Sequence, residues 1–242
     1  MPEISSESAG AVAAALFAPA RDFLRQHLLR ETTSYSRRYR FEHCLRVAQL
    51  GREVATAAGL NPDLLALGCL LHDVGKYDAE WPVDHGRAGA LLVQDFLTHG
   101  TPSYREQLGE DAAIQLLQGI AMHVDGSANA RPEAADAGTA DRAGRTYLRF
   151  TEPPTVWARS IGDCDNIDRF SVYRIADTLR YWNFMELETA EQRATVEKYL
   201  TELAAQRRYR CATAAAEKLW QENLDFQTEF FTRLAHQLNT AS

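Results

Sequence analysis

The sequence predicts an all-α protein, and two features of the chain lead to that prediction. Apolar residues recur at the spacing of a helix face along most of the 242 residues, whereas no segment alternates convincingly at period two. Residue pairs that begin helices, such as Asn61-Pro62 and Pro153-Pro154, separate these segments. Tyr147–Phe150 is the one weak candidate for a strand.

Capping residues justify the boundaries of the first three helices. The helix over 11–29 is expected to be interrupted or tilted at Pro19, because proline removes a backbone donor. The second helix ends at Gly59, a residue type common at helix ends. Asn61 as the N-cap and Pro62 at the first helical position begin the third. That helix is apolar on nearly every face, which predicts burial in the core.

The later helices follow from the same spacing. Asp84 is expected to cap a fourth helix, and a further helix rich in Ile and Leu carries His123 near its C-terminal end. The next helix carries Asp165, and its apolar stripe continues to Trp182. Residues 187–238 add one or two amphipathic helices.

We expect these helices to form one domain. Residues 1–36 would be an N-terminal helical extension, 37–185 the core, and 186–242 C-terminal helices packed on the same domain. Residues 127–145 are rich in Ala, Gly, Asp and Arg, which predicts a surface loop or partly mobile flap. The loop lies in the sequence between His123 and Asp165, so it could gate a site there.

Composition and charge exclude several classes of protein. The net charge of −7 argues against broad binding to a nucleic-acid polymer or an anionic membrane, although local cations could still hold a small phosphorylated molecule. The sequence contains no stretch of about 18 apolar residues, so no membrane span is predicted. The Ala-rich start lacks the basic region of a signal peptide. Cys44, Cys69, Cys164 and Cys211 are scattered, so we expect a reducing, cytoplasmic location.

The stretch Leu70–Lys76 places adjacent His72 and Asp73 at the end of the apolar third helix. Gly75 is expected to supply the turn that lets both side chains reach one metal ion. By itself the pair could equally be an ordinary helix end with a polar turn.

Further histidines and carboxylates make a metal site the better interpretation. Each candidate ligand lies near the end or on the inner face of a separate predicted helix, except the adjacent pair. The candidates are His43, His72, Asp73, His85, His123 and Asp165. Imidazole and carboxylate ligands suit Fe, Mn, Co, Ni or Zn. Six candidates suit two ions that share one bridging carboxylate, and a site with a single ion is the alternative.

Three motifs give the chain a family resemblance. Arg40–His43, Leu70–Lys76 and Asp163–Asp168 resemble, in order, the His … His-Asp … Asp signature of the HD superfamily of metal-dependent phosphohydrolases. The resemblance covers roughly 37–185. It implies an all-helical metal site that hydrolyses a phosphate ester or anhydride. In most members of the superfamily this substrate is a nucleotide. The residues that match the four core ligands are His43, His72, Asp73 and Asp165.

Two more histidines match the second-metal positions of HD proteins that hold two ions. The segment His85–Ala90 is similar to the one in cyclic-di-nucleotide phosphodiesterases and HD-type diadenosine tetraphosphate hydrolases, and His123 matches their remaining histidine. Asp73 would then bridge the two ions. The sequence Met122–Gly126 lacks the His-His-Glu and Gly-Tyr-Pro motifs of the cyclic-di-GMP subgroup, so that subgroup is not supported.

Basic residues near these motifs are candidates for contact with a phosphorylated substrate. Lys76 follows the His-Asp pair on the turn, and we assign it with Asp73 to the catalytic residues. Arg46, one turn from His43, and Arg169, one turn beyond Asp165, are weaker candidates. A cluster at Arg37, Arg38 and Arg40 is either a solvated helix start or a patch that steers substrate.

Three functions remain open at this point. The first is hydrolysis of a phosphorylated small molecule by metal-activated water, which the sequence His72–Lys76 favours. The second is a mixed-valent diiron oxygenase acting on a small polyol or phosphonate, since the same ligand pattern resembles the HD-scaffold oxygenases. The third is a regulatory module with a structural metal. The C-terminal amphipathic helices could also form a homodimer.

Overall fold

The computed structural model describes residues 6–30, 34–124 and 138–240, and the regular structure within these ranges is helical. The ten α-helices of the described residues are α1 (Ser6–Leu29), α2 (Tyr35–Ala58), α3 (Pro62–Leu71), α4 (His85–Leu97), α5 (Tyr104–Leu108), α6 (Glu110–Met122), α7 (Val156–Arg169), α8 (Val172–Tyr181), α9 (Thr189–Gln206) and α10 (Ala214–Thr240). The all-α prediction is confirmed. Tyr147–Phe150 forms no strand, and the neighbouring Thr146 makes an isolated bridge with Ala140.

The chain divides into two compact units. One extends to Asp165 and the other begins at Asn166, so the boundary falls inside α7. The organisation predicted from the sequence, with a core over 37–185 in a single domain, stays a prediction.

Helix α3 forms the centre of the first unit. Its side chains from Leu64 to Leu71 are buried, and the helix packs against α1, α2 and α6. The Asn61 side chain accepts a hydrogen bond of 3.0 Å from the backbone of Leu64 and so caps the helix. Each buried leucine contributes roughly 1.5–3 kcal/mol to folding. Because the core fixes α3, its C-terminal end holds His72 in a buried position.

Two helix predictions need correction. Of the two alternatives for Pro19 the interruption is wrong, because helix α1 runs through this residue; the helix also begins at Ser6, five residues earlier than expected. The stripe expected to continue α7 to Trp182 is broken, because Ser171 adopts an extended conformation with φ −69° and ψ 167°. The two helices α7 and α8 therefore replace one. Apolar spacing alone did not indicate this break.

Part of the predicted loop over 127–145 is tied down. Residues 127–137 lie outside the described residues, so the gating prediction for that part has no structural outcome. In the remainder, Asp141 accepts hydrogen bonds from the backbone N–H groups of Ala143 (3.0 Å) and Arg145 (2.8 Å). The Gly138 N–H donates to Oδ2 of the buried Asp84 at 2.7 Å. The buried carboxylate of Asp141 thus holds residues 141–145 in a turn, and that of Asp84 ties Gly138 to the rest of the first unit.

The second unit consists of helices packed around aromatic side chains. Trp220 and Phe231 of α10 are fully buried, and Phe231 contacts the ring of Tyr199 on α9. The Tyr199 hydroxyl donates to Oε1 of the buried Gln227 at 2.6 Å. Within the described ranges, no helix has the length and apolar character needed to cross a membrane.

Candidate metal centre

The structure brings all six predicted metal ligands together in the first unit. Their side chains come from the middle of α2 (His43), the end of α3 (His72, Asp73), the start of α4 (His85), the end of α6 (His123) and α7 (Asp165). Five of these residues are almost fully buried. The Asp165 side chain is 25% exposed, so one side of the cluster is open.

One group of ligand atoms surrounds Oδ2 of Asp73. Nε2 of His43 lies 2.9 Å from Oδ1 of Asp165 and 3.8 Å from Oδ2 of Asp73. Nε2 of His72 lies 3.5 Å from the same Asp73 oxygen and 3.6 Å from Oδ1 of Asp165. Two imidazoles and two carboxylates therefore point at a common space.

A second group surrounds the other oxygen of Asp73. Nε2 of His85 lies 2.9 Å from Oδ1 of Asp73, and Nε2 of His123 lies 3.8 Å from it. The two Nε2 atoms are 3.0 Å apart. Each carboxylate oxygen of Asp73 thus faces its own pair of histidines, as a bridging carboxylate between two ions would.

Backbone carbonyls orient three of the histidine rings. The distance from the ring Nδ1 to a backbone carbonyl oxygen is 2.6 Å for His72, 2.6 Å for His85 and 2.8 Å for His123. The carbonyls belong to Cys69, Pro82 and Ile120, each three residues earlier. Contacts this short orient each ring with Nδ1 toward the backbone, so that Nε2 is the nitrogen directed at the centre. Metal-binding histidines are commonly held in this way.

These residues fit a divalent transition-metal ion. Nε2 of His72 and Oδ1 of Asp73 are buried and have no well-oriented hydrogen-bond partner among the described residues. Nε2 of His85 also faces the Asp73 carboxylate, at 2.9 Å from Oδ1. A buried carboxylate needs a compensating cation, and the mixed imidazole and carboxylate set that converges here suits Fe, Mn, Co, Ni or Zn.

Arg40 contacts the candidate metal centre, and the sequence did not predict this contact. Its Nη1 donates to Oδ2 of Asp73, and its side chain is 24% exposed. Burial raises the pKa of the Asp73 carboxyl, but Arg40, Lys76 and the nearby histidines hold that pKa well below its usual range. Asp73 is therefore ionised. The available signal was that Arg40 lies three residues before His43, on the same helix face.

The histidines differ in charge state. Burial, with smaller contributions from the neighbouring His85 and His72, lowers the pKa of His123 to about 3. Burial also disfavours the charged form of His72, but Asp73 and Asp165 raise the pKa of His72 well above its usual value. His123 is thus neutral near pH 7, the form that binds a metal ion.

The predicted substrate-binding cations have different surroundings. Nζ of Lys76 lies 4.0 Å from Oδ1 of Asp73, and its side chain is 29% exposed at the edge of the centre. The Arg46 guanidinium lies 5.6 Å from the ring centroid of Tyr39. Arg169 is exposed at the end of α7, in the second unit. Lys76 is therefore placed beside the metal ligands.

Gly75 has a different role from the one expected. Its backbone lies outside the left-handed region, so the turn does not depend on a glycine conformation. A Cβ atom at this position would lie 2.2 Å from the backbone nitrogen of Gly89 and 2.5 Å from the carbonyl oxygen of His85. Glycine is needed because the turn packs directly on α4. This packing holds Asp73 beside His85.

Comparisons with known proteins agree with this geometry. The family model of the HD domain matches residues 40–169, more than half of the chain. Over 40 residues the chain is 50% identical to a deoxyguanosinetriphosphate triphosphohydrolase-like protein of Streptomyces coelicolor, a match covering 16% of this chain and 9% of that protein. No solved structure matches the chain. HD domains bind divalent metals and are in general metal-dependent hydrolases. The chain belongs to the HD domain family.

Proposed function

We propose that this protein is a metal-dependent phosphohydrolase that cleaves a phosphate ester or anhydride of a nucleotide at a centre of two divalent ions. The observation that carries the proposal is the position of Asp73, whose two oxygens face two different groups of ligands within an HD domain. Two ions that share a carboxylate can clamp both oxygens of a displacement at phosphorus.

The proposed ligands form two sets that share Asp73. The first ion would be held by His43, His72, Asp73 and Asp165, and the second by Asp73, His85 and His123. When bound, such ions lower the pKa of bound water and polarise phosphoryl oxygens. Iron, manganese, cobalt, nickel and zinc are all compatible with these ligands.

The residues of the chain support hydrolysis by position and charge. Arg40 holds the Asp73 carboxylate from one side, while the carbonyl of Pro82 fixes the ring of His85. Lys76 stands at the exposed edge, where its ammonium group can contact a phosphoryl oxygen. The apolar helix α3 keeps water away from the inner side, which strengthens these electrostatic interactions.

A nucleotide substrate is supported by two lines of evidence. The sequence resembles HD phosphohydrolases, most of which act on nucleotides. The similar Streptomyces coelicolor protein is named as a deoxyguanosinetriphosphate triphosphohydrolase-like protein. That match covers a small part of either chain, and the experiment below therefore varies both the base and the length of the phosphate chain.

The test is a substrate panel with the purified protein. It would be supplied with Mn²⁺, Fe²⁺, Co²⁺ or Ni²⁺ and given nucleoside mono-, di- and triphosphates, dinucleoside polyphosphates and cyclic nucleotides, with and without O₂. We expect phosphate release that depends on metal and not on O₂. Asp73→Ala should abolish it, whereas Asp111→Asn, at an exposed position on α6, should not. Turnover that requires O₂ would favour the oxygenase alternative and overturn the proposal.

A further inference from the structure

A cleft of about 500 Å³ lies beside the proposed metal centre in the first unit. Its lining is rich in cationic side chains from separate parts of the sequence. They are Arg30, Arg37, Lys76, Arg142 and Arg145. This volume is in the range of small-molecule sites.

The two carboxylates in the lining are already engaged by neighbouring groups. Asp78 contacts Nε2 of His27 at 2.7 Å and Nη2 of Arg30 at 3.4 Å. Asp141 accepts from Nε of Arg145 at 2.8 Å. Five cations against two carboxylates leave an excess of three positive charges in the lining, although the whole chain carries −7. A concave surface with one excess sign of charge attracts ligands of the opposite sign.

Local contacts fix the walls of the cleft. The Arg37 guanidinium lies 4.2 Å from the ring centroid of Tyr77 and donates to the Leu28 carbonyl at 2.8 Å. The backbone N–H of Arg142 donates to the carbonyl of Asp78 at 3.1 Å. This bond ties the loop that carries Arg142 to the turn after α3. The Arg37 side chain and the backbone that carries Arg142 are therefore held in place before a ligand binds.

Lys76 connects the cleft to the metal centre. It lines the cleft, and its Nζ lies 4.0 Å from Oδ1 of Asp73. A phosphoryl group at the metal centre would therefore have the cleft beside it, on the side of the ammonium group. Arginine and lysine are the usual partners of phosphate oxygens.

We infer that this cleft binds the phosphate groups next to the one that is attacked, so that the substrate carries a chain of two or more phosphates. The inference rests on the proposed function and narrows it to phosphoanhydrides, such as nucleoside di- and triphosphates or dinucleoside polyphosphates. In the reaction, the oxygen of water bonds to the attacked phosphorus, and the bond to the bridging oxygen breaks. The bridging oxygen keeps the electron pair, and the protons of water pass to that oxygen and to solvent.

Binding of inorganic tripolyphosphate to the full chain, stripped of metal with a chelator and desalted, tests the cleft without any reaction. Isothermal titration calorimetry should show tighter binding of tripolyphosphate than of orthophosphate. Arg142→Gln should weaken tripolyphosphate binding about tenfold, since it removes a charge-assisted hydrogen bond. Arg142 is exposed, so its replacement should not impair folding, which circular dichroism checks. Arg142→Lys should recover part of the affinity.

Arg149→Gln is the matched control, because Arg149 is also exposed and lies outside the cleft lining. It removes the same charge and should leave the affinity unchanged. Equal affinity for tripolyphosphate and orthophosphate, or equal effects of Arg142→Gln and Arg149→Gln, would overturn the inference.

Kinetics separate the failure of this inference from the failure of the proposed function. With a nucleoside triphosphate, Arg142→Gln should lower kcat/KM about tenfold, with a smaller effect on any monophosphate. If monophosphates and triphosphates are hydrolysed equally and Arg142→Gln changes neither, the inference fails and the proposed function stands. If tripolyphosphate binds in the cleft but no phosphate compound is hydrolysed, the proposed function fails and the polyphosphate site stands.

Discussion

Nε2 of His85 lies 2.9 Å from Oδ1 of Asp73, and Nδ1 of the same ring lies 2.6 Å from the carbonyl oxygen of Pro82. The ring is therefore held with Nε2 toward one oxygen of a buried carboxylate, the arrangement expected of two ligands of one cation. The same carboxylate has its second oxygen among His43, His72 and Arg40. Asp73 is therefore the residue that connects the two groups of candidate ligands.

The two groups of candidate ligands, one around each oxygen of Asp73, should lose metal separately. We expect His85→Ala to lower the bound metal from two ions to one per chain, because the second set then has only Asp73 and His123. Asp73→Ala should remove both ions. The loss of metal affinity should exceed the roughly 10–100-fold that is typical when a residue that hydrogen-bonds to a ligand is replaced. Elemental analysis after dialysis measures both effects.

A matched control for the histidine variant is His236→Ala, since His236 is exposed on α10. Its metal content should equal that of the unmodified protein. A wild-type content of one ion, or full loss of metal from His85→Ala, would contradict the centre of two ions and favour a single one.

Arg40 should matter most when the metal is absent. Arg40→Gln leaves the buried Asp73 carboxylate without its strongest cationic neighbour. Since Arg40 is 24% exposed, we expect a loss of about 2 kcal/mol in the free energy of unfolding, below the roughly 3–5 kcal/mol of a fully buried pair. Urea denaturation in chelator measures it. Added Mn²⁺ should narrow the difference between variant and wild type, and an unchanged difference would argue against metal binding at Asp73.

The sequence was most informative where local pattern decides structure. Asn61, Pro62 and the apolar run after them predicted α3, and the core fixes that helix with His72 at its end. The pairing of Arg40 with Asp73 was not foreseen because it joins residues 33 positions apart, and helix periodicity does not say which faces meet.

The cationic cleft could not be predicted for the same reason. Arg30 and Arg142 come from the end of α1 and a loop, and each resembles an ordinary surface residue in the sequence. Arg37, at the start of α2, belonged to a cluster expected to be either a solvated helix start or a patch that steers substrate. The position of the loop residue depends on a backbone hydrogen bond to Asp78. Tertiary packing of this kind has no local signal in a single sequence.

The contact between His27 and Asp78 predicts a pH-dependent contribution to stability. Burial raises the pKa of Asp78, but the hydrogen bond and charge of His27, with Arg30, lower it overall. A carboxyl whose pKa falls on folding stabilises the protein above its unfolded pKa, near 3.8, and loses that contribution as pH falls through the lower folded pKa. Asp78→Asn should therefore cost about 1–2 kcal/mol at pH 7.

The difference between Asp78→Asn and wild type should shrink below pH 3.8, as the wild-type carboxyl takes up its proton. Urea denaturation at several pH values measures it, with Asp111→Asn as an exposed control. A difference that is constant down to pH 2 would show that the carboxylate charge does not contribute.

Gly75 and Gly59 should respond differently to the same added methyl group. At Gly75 the new Cβ would lie 2.2 Å from the backbone nitrogen of Gly89, so the turn and α4 must separate. We expect Gly75→Ala to cost about 3 kcal/mol, the upper part of the usual range for overpacking. At Gly59 nothing lies within 4 Å, and alanine meets only the strain of φ +70°, about 1 kcal/mol.

The two glycine variants should also differ in metal binding. Gly75→Ala moves Asp73 away from His85, so metal affinity should fall together with stability, as titration of the metal-free protein with Mn²⁺ would show. Gly59→Ala should keep the affinity of the wild type, because Gly59 ends α2 away from the ligands. Equal metal affinity in the two variants would mean that contact between the turn and α4 does not set the geometry of the centre.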